Sequence, residues 1–267
     1  EPYRRQRQMC IRDSNITLQI EGDFMGSNDR KAKYLAFTLA EVLITLGIIG
    51  VVAAMTIPTL ISKTQKKEAV TRLKEAYSQI AQAIRMSEAD NGDISSWDFS
   101  DINWFETYLI NYIKYQKDSF KDVSNEKAIP YKQISGNRET GLALVRPGFG
   151  GSKVYTLLNG VDIIAGGDGN VSEGRRGFII DTNGVNSKPN QFGKDTFYLV
   201  LDSEHGLYPM GKWKTTECTP PADGNPDRNW YKNTSCYNYG CNKNGRGMYC
   251  AGLIIADGWT IANDYPW

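Results

Sequence analysis

An apolar segment from Phe37 to Ile61 constrains the fold of this chain more than any other feature, because Glu41 is its only charged residue. The stretch after that acid, 42–61, carries no charge at all. At about 1.5 Å per residue, about twenty helical residues cross a hydrocarbon core of about 30 Å. The sequence therefore predicts a helix that can span a membrane, with a carboxylate close to its start.

Basic residues flank the apolar segment on both sides, so the charge bias of the flanks does not by itself set an orientation in the membrane. They are Arg30, Lys31 and Lys33 before it and Lys63, Lys66 and Lys67 after it. A secretory signal peptide is the competing interpretation, with a small-residue cleavage site around 52–54. The apolar core is too long for that interpretation, and a helical pattern continues beyond it.

Beyond Pro58, apolar residues recur every three or four positions, which predicts one apolar stripe on an otherwise polar helix. The members of the stripe are Val70, Leu73, Tyr77, Ile80 and Ile84. Asn91-Gly92 then provides a typical helix stop. We therefore predict one helix from about Phe37 to about Asp90, kinked or locally melted at Pro58, where a backbone donor is missing.

The junction Tyr34-Leu35-Ala36-Phe37-Thr38-Leu39-Ala40-Glu41-Val42-Leu43-Ile44 resembles the leader junction of type IV pilins and type II secretion pseudopilins. In that family a prepilin peptidase removes a short basic leader before a phenylalanine and methylates the new terminal amine. The resemblance implies cleavage between Ala36 and Phe37 and makes Glu41 the glutamate four residues on. The family normally has glycine before the cut, where this chain has Ala36.

The chemistry of Glu41 leads to the same expectation without the family. A carboxylate in a medium of low dielectric constant requires a cation within a few ångströms, because Coulomb attraction is barely screened there. The new amine of Phe37 on a neighbouring copy would serve, so we expect Glu41 to set the register between subunits. The alternative is that Glu41 lies in the head-group zone without a function. Gly47, Gly50 and Pro58 fall where the family has helix-loosening residues, which adds Pro58 to the expected assembly residues.

The pattern divides the chain into five segments. Residues 1–24 lack helical or strand periodicity and are predicted to be a spurious or disordered extension ahead of a start at Met25. Residues 25–36 match the basic leader that the resemblance implies. Then follow the transmembrane and assembly helix, 37–61, its amphipathic continuation, 62–90, and an extracytoplasmic globular head, 91–267.

The head is predicted to combine one more helix with a sheet. Helical spacing relates Ile102, Phe105, Leu109, Tyr112 and Ile113, and Ser100 or Asp101 can cap the helix start. Short apolar stretches predict strands over 142–145, 154–158, 161–165, 178–180 and 197–201, and a last strand and turn over 251–259. Asn159-Gly160 predicts a hairpin with a two-residue loop. The predicted fold class is therefore α+β and pilin-like, a long N-terminal helix packed through its amphipathic half on a C-terminal antiparallel sheet.

Four cysteines lie in the last fifty residues, and their number predicts two disulfides with three connectivities open. They are Cys218, Cys236, Cys241 and Cys250. Zinc prefers paired C-x-x-C ligands, and these spacings do not supply them. Free thiols are the remaining alternative. Oxidised cysteines also favour a head outside the cytoplasm.

A loop from Asp181 to Asp195, rich in oxygen-bearing side chains, is the candidate for metal binding. Calcium takes oxygen ligands from such loops, and the loop resembles that of some pseudopilin heads, which hold calcium. The predicted ligands are Asp181, Asn183, Asn190 and Asp195. It is not an EF-hand, because no glutamate closes it. The alternative is an Asx-rich turn whose side chains bind their own backbone. The expected protein requires no cofactor, with calcium as the candidate.

Other functional classes find little support in the sequence. A net charge of +1 gives no polyelectrolyte character, so no nucleic-acid partner is expected. The single histidine, His205, has acids nearby but no recognisable nucleophile and is predicted to lie in a surface loop. The glycines at 166–169 precede no P-loop lysine and hydroxyl pair and predict a tight turn. The aromatic residues Trp259, Tyr265 and Trp267 are expected to close the core. We therefore expect a protein that is not an enzyme.

The expected function is that of a structural subunit of a type IV pilus or a type II secretion pseudopilus. Its partners would be other copies in a helical filament, a prepilin peptidase, an inner-membrane assembly platform and membrane lipid. It would cross the bacterial inner membrane once, with its leader in the cytoplasm, before entering a filament in the periplasm or at the cell surface. The alternative is a signal-anchored extracytoplasmic module that binds glycan or calcium and does not polymerise. A third hypothesis, an anchored hydrolase, depends on His205.

Overall fold

The computed structural model describes residues 37–116, 121–122, 129–140, 153–165, 174–214, 218–221, 225–233 and 236–267. Five predicted features lie outside the described residues: the extension 1–24, the leader 25–36, the residue Ala36, the strand 142–145 and the turn 166–169. The chain divides into two compact units, Glu1–Val51 and Val52–Trp267.

Helix α1 runs from Leu39 to Asn91 and contains 53 residues, which confirms the prediction of one long helix. Pro58 lies inside α1, and the helix continues through it without a break. Of the two outcomes predicted at Pro58, a kink or local melting, the melting is therefore wrong. A proline removes a single amide donor, and the turns on either side of it keep their own hydrogen bonds.

The first unit is described from Phe37 to Val51, and this described part contains the start of α1. Its side chains are exposed, with Phe37 at 83% and Leu39 at 78%. Helix α1 is long and apolar enough to cross a membrane, and its most apolar stretch is not buried. Exposed apolar surface of this extent requires a cover other than water.

The second unit contains a six-stranded antiparallel sheet in which each strand pairs with the next along the chain. The strands are β1 Lys121–Asp122, β2 Lys153–Thr156, β3 Asp162–Ala165, β4 Arg175–Asp181, β5 Thr196–Asp202 and β6 Gly206–Pro209. The predicted strands at β2 to β5 are confirmed. Sequence reasoning missed β1, which has only two residues, and β6, where a glycine and a proline interrupt the apolar pattern.

The hairpin predicted between β2 and β3 is present, but its loop is longer than predicted. Leu157 N donates to Val161 O at 2.7 Å, so these two residues face each other across the hairpin. Three residues, 158–160, therefore form the loop instead of two. Gly160 has φ +82°, the left-handed conformation that closes three-residue hairpin loops.

The amphipathic half of α1 shares one hydrophobic core with the sheet. Leu73, Ala76 and Ile80 are 0% exposed, and the predicted stripe is buried except for Tyr77. The half-buried Tyr77 donates its hydroxyl to Leu207 O at 3.0 Å. Strand β5 is buried along its whole length, as are all residues of β4 after its first, since both faces of these central strands are covered. This arrangement is the α+β layout that the sequence predicted.

The second predicted helix is shorter than its pattern suggested. Helix α2 spans Trp104–Tyr108 and is followed by a 3₁₀ turn, Ile110–Tyr112. Its N-cap is Asn103, not Ser100 or Asp101. The carboxylate of Asp101 instead accepts hydrogen bonds from Asn103 N at 2.9 Å and Thr107 Oγ1 at 3.3 Å, which stabilises the entry to the helix.

The strand predicted over 251–259 is wrong, because the chain forms helix α4, Cys250–Ala256. Helix α3, Arg228–Asn233, lies against it. A short apolar run does not distinguish a buried strand from a buried helix. Here the run is buried at five consecutive positions, 250–254. Gly252 allows the two helices to approach, since a Cβ at this position would lie 2.2 Å from Tyr231 Cε1.

The structure selects one of the three disulfide connectivities. Cys218 is bonded to Cys236, and Cys241 is bonded to Cys250. The second bridge ties the start of α4 to the segment before it, nine positions away.

Peptide mapping under non-reducing conditions is expected to recover these two cross-links. A Cys218–Cys250 or Cys236–Cys241 cross-link would contradict the fold.

Replacing both Cys241 and Cys250 by serine should lower the free energy of unfolding by about 2.5 kcal/mol, because the unfolded chain regains the entropy of an open loop. Denaturant unfolding of the full chain in detergent measures this loss.

Candidate functional site

The start of α1 is closed by reciprocal hydrogen bonds between Thr38 and Glu41. Thr38 N and Thr38 Oγ1 donate to Glu41 Oε2 at 2.8 and 2.9 Å. In return, Glu41 N donates to Thr38 Oγ1 at 3.2 Å. This is a capping box, which satisfies amide groups that the first turn of a helix leaves unpaired. Sequence reasoning missed it, although Thr-x-x-Glu before an apolar run is its signature.

The capping box gives Glu41 a role within a single subunit. Both bonds from Thr38 end on Oε2, and no hydrogen bond from the described part of the chain reaches Oε1. Phe37, directly ahead of the box, is exposed. Pro58, the other predicted assembly residue, lies on the exposed surface of α1 seventeen positions further on. The carboxylate is thus held in place on one oxygen and accessible on the other.

Three aspartates meet at one end of the sheet. Asp162 begins β3 and faces Asp181, the last residue of β4, while Asp195 immediately precedes β5. Their exposed fractions are 4%, 0% and 5%. Within the described residues, none of the three forms a salt bridge with a lysine, arginine or histidine. Burial of carboxylates without a compensating cation is unfavourable, so this end of the sheet lacks the positive charge that would balance its acids.

Hydrogen bonds stabilise two of these carboxylates only in part. Asp181 Oδ2 accepts from Tyr131 OH at 2.8 Å, and Asp181 Oδ1 accepts from Asn183 N at 3.3 Å. Burial, together with the negative charge of Asp195, raises the pKa of Asp181 to about 8. Burial also raises the pKa of Asp195. Both shifts have the direction expected for acids that lack a cation.

The carboxylate of Asp195 organises the loop backbone. It accepts from Asn190 N at 2.8 Å, Gln191 N at 2.6 Å and Thr196 Oγ1 at 3.2 Å. The two amides lie five and four residues before Asp195, so these bonds are not an Asx turn, in which the side chain accepts from the amide two residues further on. They nevertheless agree with the alternative interpretation of this loop, in which its side chains bind the loop's own backbone.

Three buried oxygens beside the aspartates have no hydrogen-bond partner among the described residues: Asp162 Oδ1, Asn183 Oδ1 and Asn190 Oδ1. Their orientation follows from the other atom of each side chain. Asp162 Oδ2 accepts from Val185 N at 2.8 Å, and Asn190 Nδ2 donates to Val185 O at 2.8 Å. Asn183 Nδ2 donates to Lys188 O at 3.1 Å. Buried acceptors are normally paired, so three orphaned oxygens in one loop region point to a missing partner.

The structure therefore changes the predicted ligand set. Asp181, Asn183, Asn190 and Asp195 do lie in one loop region, but the orphaned oxygens belong to Asn183, Asn190 and the missed residue Asp162. The pairing of β3 with β4 brings Asp162 to this loop region, and no local sequence pattern indicates that pairing. Among the residues that the structure describes, no three carboxylates, histidines or cysteines are grouped closely enough to hold a metal. A cation at this site would depend on amide oxygens as well.

His205 lies in the turn between β5 and β6, as predicted for a surface loop. Its ring stacks on Trp213 at 4.0 Å between ring centres, and its Nδ1 lies 3.2 Å from Asp202 Oδ2. That oxygen also accepts from Tyr208 OH at 2.6 Å. The histidine thus belongs to a packed aromatic turn.

The aromatic residues near the end of the chain contribute to the core to different degrees. Tyr265 is buried and donates its hydroxyl to Gly193 O at 2.6 Å, which confirms the prediction for this residue. Trp259 packs edge-on against Tyr77 with 5.5 Å between ring centres, and Trp267 is half-buried. The two tryptophans therefore border the core.

These features define an α+β protein whose long N-terminal helix is a candidate membrane anchor. A family model described as a family of unknown function, DUF6613, matches residues 59–136. The matched stretch begins directly after Pro58 and includes the amphipathic half of α1 and helix α2. No curated protein and no solved structure matches the chain.

Replacing Asp195 by alanine should destabilise the protein by about 2–4 kcal/mol, since it leaves buried amides of the loop without their acceptor. Denaturant unfolding of the full chain in detergent measures the change. The matched control is Asp227→Ala, because Asp227 is exposed and its carboxylate accepts one backbone bond from the described residues, from Trp230 N at 2.8 Å. Its loss should cost about 1 kcal/mol or less. Equal losses for the two variants would show that Asp195 does not organise the loop.

Proposed function

We propose that this chain is a pilin-like subunit that is anchored in a membrane by the first part of α1 and polymerises through the same segment. The exposed apolar surface from Phe37 to Ile61 carries the proposal. Its large side chains are between 41% and 83% exposed. Lipid would cover this surface before assembly, and the helices of other copies would cover it afterwards.

The position of Glu41 supports the assembly step. Cleavage before Phe37 would create an amine close to the capping box on each subunit. The free oxygen of Glu41 on one copy would then accept that amine from its neighbour, because an ion pair is strong where water is excluded. The capping bonds to Oε2 would keep the carboxylate oriented throughout. A prepilin peptidase and an inner-membrane assembly platform are the partners that this sequence of events requires.

The two disulfides support the placement of the head outside the cytoplasm, where such bonds persist. The leader would then remain on the cytoplasmic side of a bacterial inner membrane. A type IV pilus and a type II secretion pseudopilus use such a subunit in the same way, and the proposal covers both.

Filament assembly should depend on the charge of Glu41 more than on its capping bonds. In a bacterium that assembles type IV filaments, Glu41→Ala and Glu41→Gln should each lower the amount of sheared filament at least about tenfold, since both remove the ion pair. The matched control is Thr38→Val, which removes its hydroxyl from the capping box, at a cost of about 1 kcal/mol, and keeps the carboxylate. It should assemble within a few-fold of the unaltered protein.

Mass spectrometry of the mature amino end accompanies this comparison, with Phe37 expected as the first, methylated residue. Unaltered assembly of both Glu41 variants would overturn the proposal. A full-length chain that remains uncleaved and monomeric beside assembling filaments would favour the anchored module that does not polymerise.

Calcium binding is a second candidate function, favoured by the orphaned oxygens beside the loop between β4 and β5. Asp162, Asn183 and Asn190 would supply them, and Asp181 would add a second carboxylate. Calcium accepts carboxylate and amide oxygens in flexible geometries, so these donors fit it. The ion would supply the positive charge that the buried aspartates lack. Calcium binding is compatible both with a filament subunit and with an anchored module that does not polymerise.

Calcium should raise the melting temperature of the full chain in detergent, by about 5–10 °C when its concentration is about a hundred times the dissociation constant. Asp162→Asn should abolish this increase while leaving the calcium-free protein at least as stable, because the substitution removes a buried charge. Asp227→Asn, an exposed acid elsewhere in the head, is the control and should keep the full increase. A calcium effect that persists in Asp162→Asn, or no effect in the unaltered chain, would contradict the site.

A further inference from the structure

We propose that a lysine surface just beyond the apolar segment binds the head groups of anionic phospholipids. We define this juxtamembrane lysine surface as Lys63, Lys66, Lys67, Trp259 and Trp267. The inference rests on the membrane anchoring proposed above and adds a specific lipid class to it. Its consequence is that the subunit has a preferred depth and lipid environment before it assembles.

The position of the three lysines along α1 places them at the level of the head groups. Lys63 follows Ile61, the last residue of the apolar segment, by two positions. With a rise of about 1.5 Å per residue, all three ammonium-bearing residues fall within about 10 Å of the end of that segment. Head-group layers occupy the outer 5–8 Å or so of each leaflet. The spacing i, i+3, i+4 also puts the three side chains on one side of the helix.

The positive charge of these lysines is not neutralised within the described part of the chain. None of the three forms a salt bridge there. The one acid between residues 62 and 74 is Glu68, and Arg72 holds it at 2.6 Å. Lys63 and Lys67 are exposed, so their charges face the surroundings. A cluster of lysines immediately beside a membrane span is attracted to anionic lipid.

The two tryptophans extend the same surface with groups suited to an interface. Lys66 Nζ lies 5.7 Å from the centre of the Trp267 ring, a cation–π distance. Both tryptophans are half-buried, and tryptophan is enriched where a membrane meets water. All three lysines and Trp259 line one cavity of about 930 Å³, whose other walls include Val70 and Ile261. Lys74 and one acid, Glu75, also line this cavity, so its walls carry four lysines against a single carboxylate. Such a cavity, with apolar walls beside the lysines, is complementary to an amphiphile with an anionic head.

Charge alone would also suit an acidic polysaccharide, and continuity with the apolar segment favours lipid. The same helix that enters the bilayer carries the lysines, so the phosphates of that bilayer are held at high local concentration beside them. A soluble polyanion has no such advantage. The proposal therefore commits to anionic phospholipid.

The test reconstitutes the full chain in nanodiscs of phosphatidylcholine with or without phosphatidylglycerol and maps lysine modification by an amine-reactive reagent. Phosphatidylglycerol should protect Lys63, Lys66 and Lys67, with their modification rates falling severalfold. Lys132 is the internal control, since it is exposed in the head and does not line this cavity. Its rate should change little. Equal rates in the two lipid compositions would overturn the proposal.

Variants provide an independent readout. Native mass spectrometry of the detergent-solubilised chain, titrated with each lipid, should show a preference for phosphatidylglycerol that falls at least about tenfold in Lys63→Gln/Lys66→Gln/Lys67→Gln. The charge-matched control is Lys114→Gln/Lys132→Gln/Lys243→Gln, whose residues are exposed elsewhere in the head. It should keep the preference. Replacing the first three lysines by arginine should also keep it, which excludes a loss caused by misfolding.

The outcomes separate this proposal from the ones on which it rests. A chain that carbonate extracts from vesicles of either composition would refute the membrane anchor itself. A chain that inserts equally well but shows no lipid preference would refute only the lysine surface. Heparin binding that depends on the same three lysines, without a preference for phosphatidylglycerol, would assign the surface to an acidic polysaccharide instead.

Discussion

The packing of one helical stripe against a sheet is the interaction on which the rest of this structure depends. Leu73, Ala76, Ile80 and Ala83 repeat at spacings of three and four and are fully buried. Two large side chains therefore alternate with two alanines along the buried stripe. Each fully buried leucine or isoleucine contributes about 1.5–3 kcal/mol. Because this stripe uses only the later part of α1, the earlier part is left with apolar surface that the described fold does not cover.

A second constraint is electrostatic, and it arises from the order of the strands. In an antiparallel meander, the end of β4 faces the start of β3, and this register brings Asp162 opposite Asp181. The loop that leads to β5 adds Asp195 at the same end. Hydrogen bonds from Tyr131 and from loop amides stabilise these carboxylates without neutralising them. The sheet that gives the head its core therefore also concentrates acidic side chains at one of its ends.

The features that sequence reasoning found are those whose signals are local. The long helix, the four main strands and the apolar stripe follow from residues close together in the chain, and the structure contains all of them. The prediction of a strand over 251–259 was wrong because a short apolar run is compatible with a buried helix as well. In the structure this run forms a helix whose first residue, Cys250, is in a disulfide and whose Gly252 lies against Tyr231. The place of Asp162 in the candidate site and the choice among disulfide connectivities depend on residues that only the fold brings together. No periodicity in the sequence predicts such contacts. The capping box of Thr38 and Glu41 also has a local signature, Thr-x-x-Glu before an apolar run, and could have been predicted from the sequence.

The hydroxyl of Tyr265 joins Gly193 across 72 positions of the chain, and this has a consequence for the order of folding. A polypeptide that is synthesised from its amino end presents the loop of Gly193 well before Tyr265, whose hydroxyl binds that loop. The strands of the sheet can pair as they emerge. The loop beside the aspartates cannot form its hydrogen bond to Tyr265 until that residue is present. Completion of that end of the head is thus tied to the arrival of Tyr265.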